Sequence, residues 1–377
     1  MPPKSKSTHR SSSPLSSQVG QLLIVGFDGT EMSKPLAAML TRIQPAGVIL
    51  FARNVTGAEQ TFRLLKDCQA QVASPIFTCV DLEGGRVDRF RNVLGPAPSA
   101  AEVYATRNRK LFRKHGRVIG ENCRTLGFNV DFAPSLDLAY EASRSVMSSR
   151  AVSDDPHEVA VYARDFLAGL RDAQVAGSGK HFPGLGEGKL DSHHELPVIE
   201  KAWKPLWEQD LAPYRLLKNT LPFVMVSHAA YPKVTGDPTP ASLSKKWITD
   251  ILRRKMDYRG LIASDDLEMG GVLSAAPVEQ AALEHISAGG DLCLICHKED
   301  GIVASYEQLV RAAENDRRFA SRVSESARRT IAFKKRWRML FARQSAPSTS
   351  KVERLSRQLW EFTEEVRLAA ISQQGAR

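Results

Sequence analysis

Short apolar runs alternate along the chain with longer stretches in which apolar residues recur every three or four positions. The short runs have the length of strands, and the longer stretches have the spacing of amphipathic helices. The eight runs that we predict as strands cover residues 22–27, 47–51, 76–81, 128–134, 175–181, 223–228, 261–265 and 291–297. Their apolar residues are continuous, which indicates burial on both faces, as in a parallel sheet covered by helices.

The amphipathic stretches lie between these strands and after the last one. Asp155 followed by Pro156 is typical of a helix start, because it places a capping carboxylate before a first-turn proline. The predicted helices cover residues 33–44, 58–72, 109–126, 156–172, 203–218, 245–255 and 278–287, with two more at 306–314 and 319–338. This rhythm of eight strand–helix units predicts a single-domain (β/α)8 TIM-type barrel over residues 18–340.

The alternative fold is an open, doubly wound sheet. No Gly-x-Gly-x-x-Gly turn follows an early strand, and the GLGEG run at 184–188 has the wrong spacing for one. Outside the barrel, residues 1–17 are basic and rich in serine, which predicts a disordered leader. Residues 341–377 are predicted as a linker and an accessory C-terminal helix over 352–370.

Composition narrows the class of protein. There are 52 Lys and Arg residues against 42 Asp and Glu, a net charge of +10, but no basic run is interleaved with aromatic residues, so we expect no nucleic-acid partner. No apolar run approaches the ~18 residues of a membrane span, and residues 1–17 lack the apolar core of an export signal. The five cysteines form no disulfide pattern. We therefore expect a cytoplasmic protein without a membrane partner.

Polar side chains stand at or near the carboxyl ends of five predicted strands. They are Asp81, Asp131, His181, His228 and Asp265. In a (β/α)8 barrel these ends meet on one face, where active sites are built. The convergence predicts an enzyme.

The stretch KHFPGLGEGKLDSHHELP at 180–197 carries further candidate chemistry. Its glycines indicate an irregular loop, and the loop presents Asp191 two residues before His193. A carboxylate beside an imidazole can orient the ring and stabilise its charged form, as a proton-transfer group requires. Alone, however, an Asp-x-His pair in a loop is more often a solvated turn.

Three motifs in order resemble the signatures of family 3 glycoside hydrolases, most of all the NagZ-type single-domain bacterial β-N-acetylhexosaminidases. They are VDLEGGRVDRF at 80–90, KHFPG…DSH…LP at 180–197 and IASDDLEMGG at 262–271. The resemblance covers roughly residues 18–338. The usual Gly-His-Gly-Asp of the loop is replaced by GLGE, so Leu185 and Glu187 depart from the pattern.

The resemblance implies a role for each candidate residue. Asp265 matches the catalytic nucleophile, and only one of Asp265 and Asp266 should face the barrel mouth, because side chains alternate along a strand. His193 matches the general acid/base, with Asp191 as its partner. The positions that match the sugar pocket are Asp81, Arg89, Arg150, Lys180 and His181. Two protein groups supply the chemistry, so we expect neither a cofactor nor a metal.

The implied function is a retaining exo-β-N-acetylglucosaminidase that acts on peptidoglycan fragments (muropeptides) in cell-wall recycling. We expect a monomer whose only partner is this small carbohydrate substrate. Two alternatives remain open, a β-N-acetylglucosaminide phosphorylase and a non-catalytic sugar-binding barrel. The CLICH run at 293–297 spells a haem-attachment pattern, but it lies in the last predicted strand, so we interpret Cys293 and Cys296 as buried structural thiols.

Overall fold

A computed structural model describes residues 14–188 and 195–375 of the chain. Eight parallel strands form one sheet in the order β4-β3-β2-β1-β8-β7-β6-β5. The strands are β1 Leu23–Val25, β2 Gly47–Ile49, β3 Phe77–Val80, β4 Val130–Asp131, β5 Ser178–Phe182, β6 Phe223–Val226, β7 Leu261–Asp266 and β8 Leu292–Ile295. Each falls on one of the eight predicted runs, and each is shorter than or nearly equal to its prediction.

The two ends of this sheet, β4 and β5, meet through backbone hydrogen bonds. The amide of Asp131 donates to the carbonyl of Ala176 at 2.9 Å, and the amide of Ala176 donates to Asn129 at 3.0 Å. Just beyond, the amide of Ser178 donates to Ala133 at 2.8 Å. These bonds close the sheet on itself, which confirms the (β/α)8 barrel.

Helices surround the barrel in the predicted alternation. They are α1 Pro14–Gly20, α2 Lys34–Ile43, α3 Ala58–Ala70, α4 Arg91–Leu94, α5 Ala100–Ala105, α6 Arg109–Thr125, α7 Arg144–Met147, α8 Pro156–Asp172, α9 Trp203–Glu208, α10 Ala212–Leu217, α11 Pro232–Thr235, α12 Gly270–Leu273, α13 Val278–Ala288, α14 Glu299–Asn315, α15 Arg317–Arg336 and α16 Thr349–Gly375. A π-helix at Lys246–Lys255 lies between β6 and β7. The side chain of Asp155 accepts from the amides of His157 and Glu158, so the predicted cap of α8 is confirmed.

Two segments differ from their predictions. The stretch 203–218 is two helices, α9 and α10, because Pro213 has no amide hydrogen and occupies the first turn of the second helix. Helix α1 begins at Pro14, inside the stretch predicted as a leader, and it is held by α15 through a 2.7 Å hydrogen bond from Ser324 to Gln18. Residues 1–13 lie outside the described part of the chain.

One end of the barrel is filled by aromatic side chains. Phe77 and Phe223, which open β3 and β6, lie 5.4 Å apart between ring centroids. Phe333 of α15 packs against both, at 5.7 and 5.0 Å. The amino-terminal end of the barrel is therefore apolar and plugged, and the polar residues predicted as functional lie at the opposite end.

The C-terminal helix α16 packs on the barrel's outer layer. Its buried face consists of Leu355, Leu359, Phe362 and Val366, and the ring of Phe362 stacks on His115 of α6 with centroids 5.8 Å apart. The predicted accessory helix is therefore present and is longer than 352–370. Within the described ranges, no helix combines the length and the apolar character that crossing a membrane requires.

All five cysteines are buried and unpaired, which agrees with the interpretation of Cys293 and Cys296 as structural thiols. Burial raises the pKa of the Cys68 thiol to about 12 and that of Cys296 well above its usual value. These thiols are therefore held protonated and unreactive.

Lys334 is a charged residue type inside the apolar plug. Its side chain is buried, Nζ donates to Oε1 of Gln21 at 2.9 Å, and the nitrogen lies 5.0 Å from the centroid of Phe77. Burial lowers the pKa of this amine to about 7, against 10.5 for a free lysine. A neutral amine is thus favoured in the folded protein.

This buried amine should make stability depend on pH. Between pH 7 and pH 10.5 the unfolded chain binds a proton at Lys334 that the folded chain does not, so the free energy of unfolding rises with pH across that range. Lys334→Met should remove this rise, whereas Lys335→Met, at an exposed neighbouring position, should keep it. Urea unfolding at pH 7 and pH 9.5 measures how much the free energy of unfolding rises with pH in each protein. An equal rise in the wild type and in Lys334→Met would contradict the prediction that Lys334 causes it.

Candidate active site

Strand register places the predicted site residues on one rim. Val80 pairs with Asp131, Phe182 with Val226, and Val226 with Ser264. Asp81 and Asp265 directly follow Val80 and Ser264, and His228 lies two residues after Val226, so all three come at the carboxyl ends of their strands. Lys180 and His181 of β5 are on the same rim, as the 2.6 Å contact between Lys180 and Asp81 shows.

Asp265 and Asp266 end β7 and have different surroundings. The pairing of β7 with β8 is irregular between Ala263 and Asp266, so alternation along the strand does not decide which side these two residues face. The groups that influence the carboxyl of Asp265 are His181, His228 and Lys180 at the barrel mouth. The carboxylate of Asp266 lies 3.2 Å from His297, and its Oδ1 accepts from the amide of Glu268 at 3.1 Å. The two neighbouring carboxylates thus occupy different environments.

The electrostatic environment of Asp265 favours its ionised form. Burial would raise the pKa of this carboxyl, but the influence of His181, His228 and Lys180 and a hydrogen bond from the amide of Asp266 lower it below its usual value. That amide donates to Oδ1 of Asp265 at 2.9 Å. Asp265 is therefore a carboxylate at neutral pH, the form that can act as a nucleophile.

Lys180 is the centre of a buried charged cluster. Its side chain is 2% exposed, and Nζ lies 2.6 Å from Oδ1 of Asp81 and 2.7 Å from Oε1 of Glu83. Burial opposes the charge of the amine, but the two carboxylates outweigh it and raise the pKa of Lys180. The side chain of Asp81 is 17% exposed, which leaves it accessible at the mouth.

Arg150 completes this cluster through Glu83. Its Nε and Nη2 donate to the two oxygens of Glu83, each at 2.8 Å, in the bidentate geometry typical of arginine and carboxylate. Burial would raise the pKa of Glu83, but Arg150 and Lys180 hold it well below its usual range. Arg150 is thus a buried member of the charged cluster that contains Lys180.

His181 has partners on both ring nitrogens. Nη2 of Arg150 lies 3.2 Å from Nε2, and because a guanidinium can only donate, Nε2 must accept. We therefore assign the ring proton to Nδ1, which donates to Oδ2 of Asp137 at 2.7 Å. Asp137 also accepts from the amide of Leu185 at 2.7 Å, so it ties the ring to the start of the glycine-rich loop.

Arg89 reaches the rim from the turn after β3. Its guanidinium lies 5.7 Å from the ring centroid of Phe51. Its Nε is buried and has no hydrogen-bond partner among the described residues. Nε of Arg215, Arg253 and Arg322 likewise has no partner among the described residues, so it is the position of Arg89 at the rim that makes its donor a candidate for binding.

Asp131 lies at a strand end but does not open onto the mouth. Its Oδ1 accepts from the amide of Leu82 at 2.9 Å, and its Oδ2 is buried without a partner in the described chain. Burial raises the pKa of this carboxyl well above its usual value. Asp131 supports the turn after β3.

Glu83 and Asp137 belong to the site, and the sequence reasoning did not select either of them. Glu83 lies in the turn after β3, and no local spacing distinguishes it. Asp137 lies six residues beyond β4 in a loop, and nothing in its spacing distinguishes it. Asp191 and His193 lie outside the described residues, so their predicted roles stay predictions.

The model of the glycosyl hydrolase family 3 N-terminal domain matches residues 14–333. The chain is 33% identical over 296 residues to a protein of Idiomarina loihiensis named β-hexosaminidase, covering 78% of this chain and 88% of the relative. It is 37% identical over 294 residues to a β-hexosaminidase of Alkalilimnicola ehrlichii, covering 76% and 84%.

Solved structures agree in fold. A family 3 β-N-acetylglucosaminidase from Paenibacillus superposes with a TM-score of 0.86 at 30% identity, covering 93% of this chain and 69% of that one. LpqI of Mycobacterium tuberculosis superposes with a TM-score of 0.76 at 33% identity, covering 86% and 94%. Sequence, fold and the clustered residues at the barrel mouth lead to one conclusion: this chain belongs to glycosyl hydrolase family 3.

Proposed function

We propose that the chain is a retaining, exo-acting β-N-acetylglucosaminidase that uses Asp265 as its nucleophile. Glycosidase activity of the β-hexosaminidase class follows from its family and from the names of its relatives. The observation that supports the mechanism is the environment of Asp265, a carboxylate at the end of β7 that His181, His228, Lys180 and the amide of Asp266 keep ionised in spite of its burial. A carboxylate there can attack the anomeric carbon of a bound sugar and form a covalent glycosyl-enzyme.

The remaining steps of this mechanism need a group that gives and takes a proton. By resemblance, His193 protonates the departing oxygen and later deprotonates water, with Asp191 holding its ring. A histidine suits both steps because its ordinary pKa lies near neutrality. These two residues enter the proposal on sequence alone.

The charged cluster is proposed to hold the sugar. Asp81 and Lys180 can accept from and donate to sugar hydroxyls, and the unpartnered Nε of Arg89 offers a further donor. Arg150 and His181 are each held by a carboxylate, so they would meet the sugar already oriented. Charge-assisted hydrogen bonds that strengthen as charge develops at the anomeric carbon would favour the transition state.

The proposed natural substrate is a muropeptide with a non-reducing terminal GlcNAc, hydrolysed by a monomeric enzyme in the cytoplasm as part of cell-wall recycling. This finer assignment rests on the motif resemblance. Comparing kcat/KM for a GlcNAc–anhydro-N-acetylmuramic acid peptide with that for chitobiose tests it. A clear preference for chitobiose would contradict it.

Removing the nucleophile should abolish turnover. Asp265→Asn keeps the shape of the side chain but loses the negative charge, so kcat on 4-nitrophenyl β-GlcNAc should fall on the order of 10³-fold or more. Asp154→Asn changes an exposed carboxylate before α8 and should leave kcat unchanged. Turnover by Asp265→Asn at the wild-type rate would show that another group attacks the sugar.

The first product should be the β-anomer of GlcNAc, because two successive displacements retain configuration. Proton NMR in the first minutes of the reaction distinguishes the anomers before mutarotation. An α-anomer would contradict the retaining mechanism. In phosphate buffer the product should still be free GlcNAc, and GlcNAc-1-phosphate as the main product would identify a phosphorylase instead.

Glu83 should be essential for the stability of the site. Glu83→Ala leaves Arg150 and Lys180 buried without a shared partner, so the free energy of unfolding should fall by about 3–5 kcal/mol. Glu365→Ala removes an exposed partner of Lys114 and should cost at most ~1 kcal/mol. Because folding lowers the pKa of Glu83, its contribution is fully present above pH 4.5 and declines as the pH falls below that value toward the lowered pKa. Denaturant unfolding at pH 7 and pH 3 measures both effects, and equal losses in the Glu83→Ala and Glu365→Ala variants at pH 7 would contradict the prediction.

A further inference from the structure

His297 ends the CLICH run and lies on the rim next to β7. Its ring stacks on Phe51 with centroids 5.6 Å apart and planes at 23°. Its Nε2 lies 3.2 Å from Oδ2 of Asp266, and its side chain is 47% exposed whereas that of Asp266 is 14% exposed. A second carboxylate–imidazole pair thus stands at the barrel mouth, beside the proposed nucleophile.

Other contacts also hold Asp266, through its side chain and its backbone carbonyl. Oδ1 of Asp266 accepts from the amide of Glu268 at 3.1 Å, and the carboxylate of Glu268 accepts from the amides of His297 at 2.6 Å and Lys298 at 3.0 Å. The carbonyl of Asp266 accepts from Nε2 of His228 at 2.8 Å. These contacts hold the side chain of Asp266 and the peptide that follows it, and thereby restrict the position of the residue that carries the next amide donor.

The amide of the same residue donates to Oδ1 of Asp265 at 2.9 Å. A hydrogen bond to one carboxylate oxygen sets the rotation of the carboxyl group and therefore the direction of the other oxygen. Any loosening of Asp266 is transmitted to Asp265 by this bond. Since misplacement of a reacting group by about 1 Å can cost ~10²-fold in rate, the orientation matters for attack.

We propose that His297 is a positioning residue. Its ring holds the carboxylate of Asp266 like a clamp, and the backbone amide of Asp266 in turn holds the carboxylate of Asp265 in the orientation for attack. The inference rests on the proposed function, because it takes Asp265 as the nucleophile. The role proposed for His297 is exerted through Asp266 and requires no contact with the sugar.

The clamp should weaken as His297 loses its proton. The hydrogen bond to Asp266 raises the pKa of His297 above its usual value, and the negative charges of Asp266 and Glu268 raise it further. Partial burial and the positive charge of Arg53 act in the opposite direction but are outweighed. The charged groups that face the ring are these three, Asp266 on β7, Glu268 after β7 and Arg53 after β2, and the uncharged ring of Phe51 covers one face. Below its pKa the imidazolium forms an ion pair, and above it only a neutral contact remains, so the rate should fall on the alkaline side.

A substrate with an activated leaving group separates His297 from the acid/base. The departure of 2,4-dinitrophenolate from its β-GlcNAc glycoside needs no proton, so kcat/KM for this substrate depends on attack by Asp265 alone. The full-length chain would be assayed from pH 5 to pH 9.5, with the inhibition constant of GlcNAc as the measure of ground-state binding. The wild type should show an alkaline decline in kcat/KM.

Two variants and one control test the clamp. His297→Ala should lower kcat/KM about 10–100-fold while the inhibition constant of GlcNAc stays within about twofold. His297→Gln keeps a neutral donor near the position of Nε2, so it should recover most of the rate at pH 6 and lose the alkaline decline. His157→Gln, at an exposed histidine on α8, should match the wild type at every pH. If His297→Ala does not fold, as judged by circular dichroism, His297→Gln carries the test.

Two results would overturn the inference. One is a wild-type kcat/KM that does not depend on pH with this substrate, and the other is a His297→Gln profile that matches the wild type while Asp265→Asn is inactive. Full turnover by Asp265→Asn would instead contradict the proposal that Asp265 is the nucleophile, and the role of His297 that depends on it would then be wrong as well.

Discussion

Backbone hydrogen bonds between residues 129–133 and 176–178 join β4 to β5 and close the sheet. Without them the eight strands would form an open sheet whose ends lie far apart, and Asp81, which directly follows β3, would not share a rim with Lys180 on β5. Closure brings the carboxyl ends of distant strands within hydrogen-bonding reach, as shown by the 2.6 Å contact between Lys180 and Asp81. The plug around Phe333 fills the opposite end, so the barrel offers one polar face.

Burying the charged cluster on this face costs free energy, and the cluster is held together by the pairing of its positive and negative side chains. Two cations, Lys180 and Arg150, share Glu83, and Lys180 also contacts Asp81. Each ion loses hydration when the chain folds, so the cluster is not a source of stability in itself. What it provides is a set of donors and acceptors that are already oriented. Preorganised charges need no rearrangement when charge develops on a substrate, and this is the main physical advantage of such a site.

Much of the fold could be predicted because the apolar runs have the length and continuity of buried parallel strands. The break between α9 and α10 was also accessible, since Pro213 is visible in the sequence, but the amphipathic spacing across 203–218 outweighed it. Glu83 and Arg150 illustrate the limit for the site. Glu83 is in a turn and Arg150 is in an irregular stretch before α8, and their separation of 67 residues gives no local pattern that would pair them. The pairing of Asp137 with His181 is equally hidden in the sequence, because the two residues are 44 positions apart.

The sequence by itself determined the strand and helix order, the barrel class and the residue types at the strand ends, because each of these depends on local periodicity. Through the resemblance it also selected Asp265 as the proposed nucleophile. Only the tertiary structure decided which carboxylate bonds to which cation, that Asp131 is buried against the turn after β3, and that Asp266 pairs with His297. These features depend on distances between strands and on burial, and both are properties of the closed barrel rather than of any segment of it.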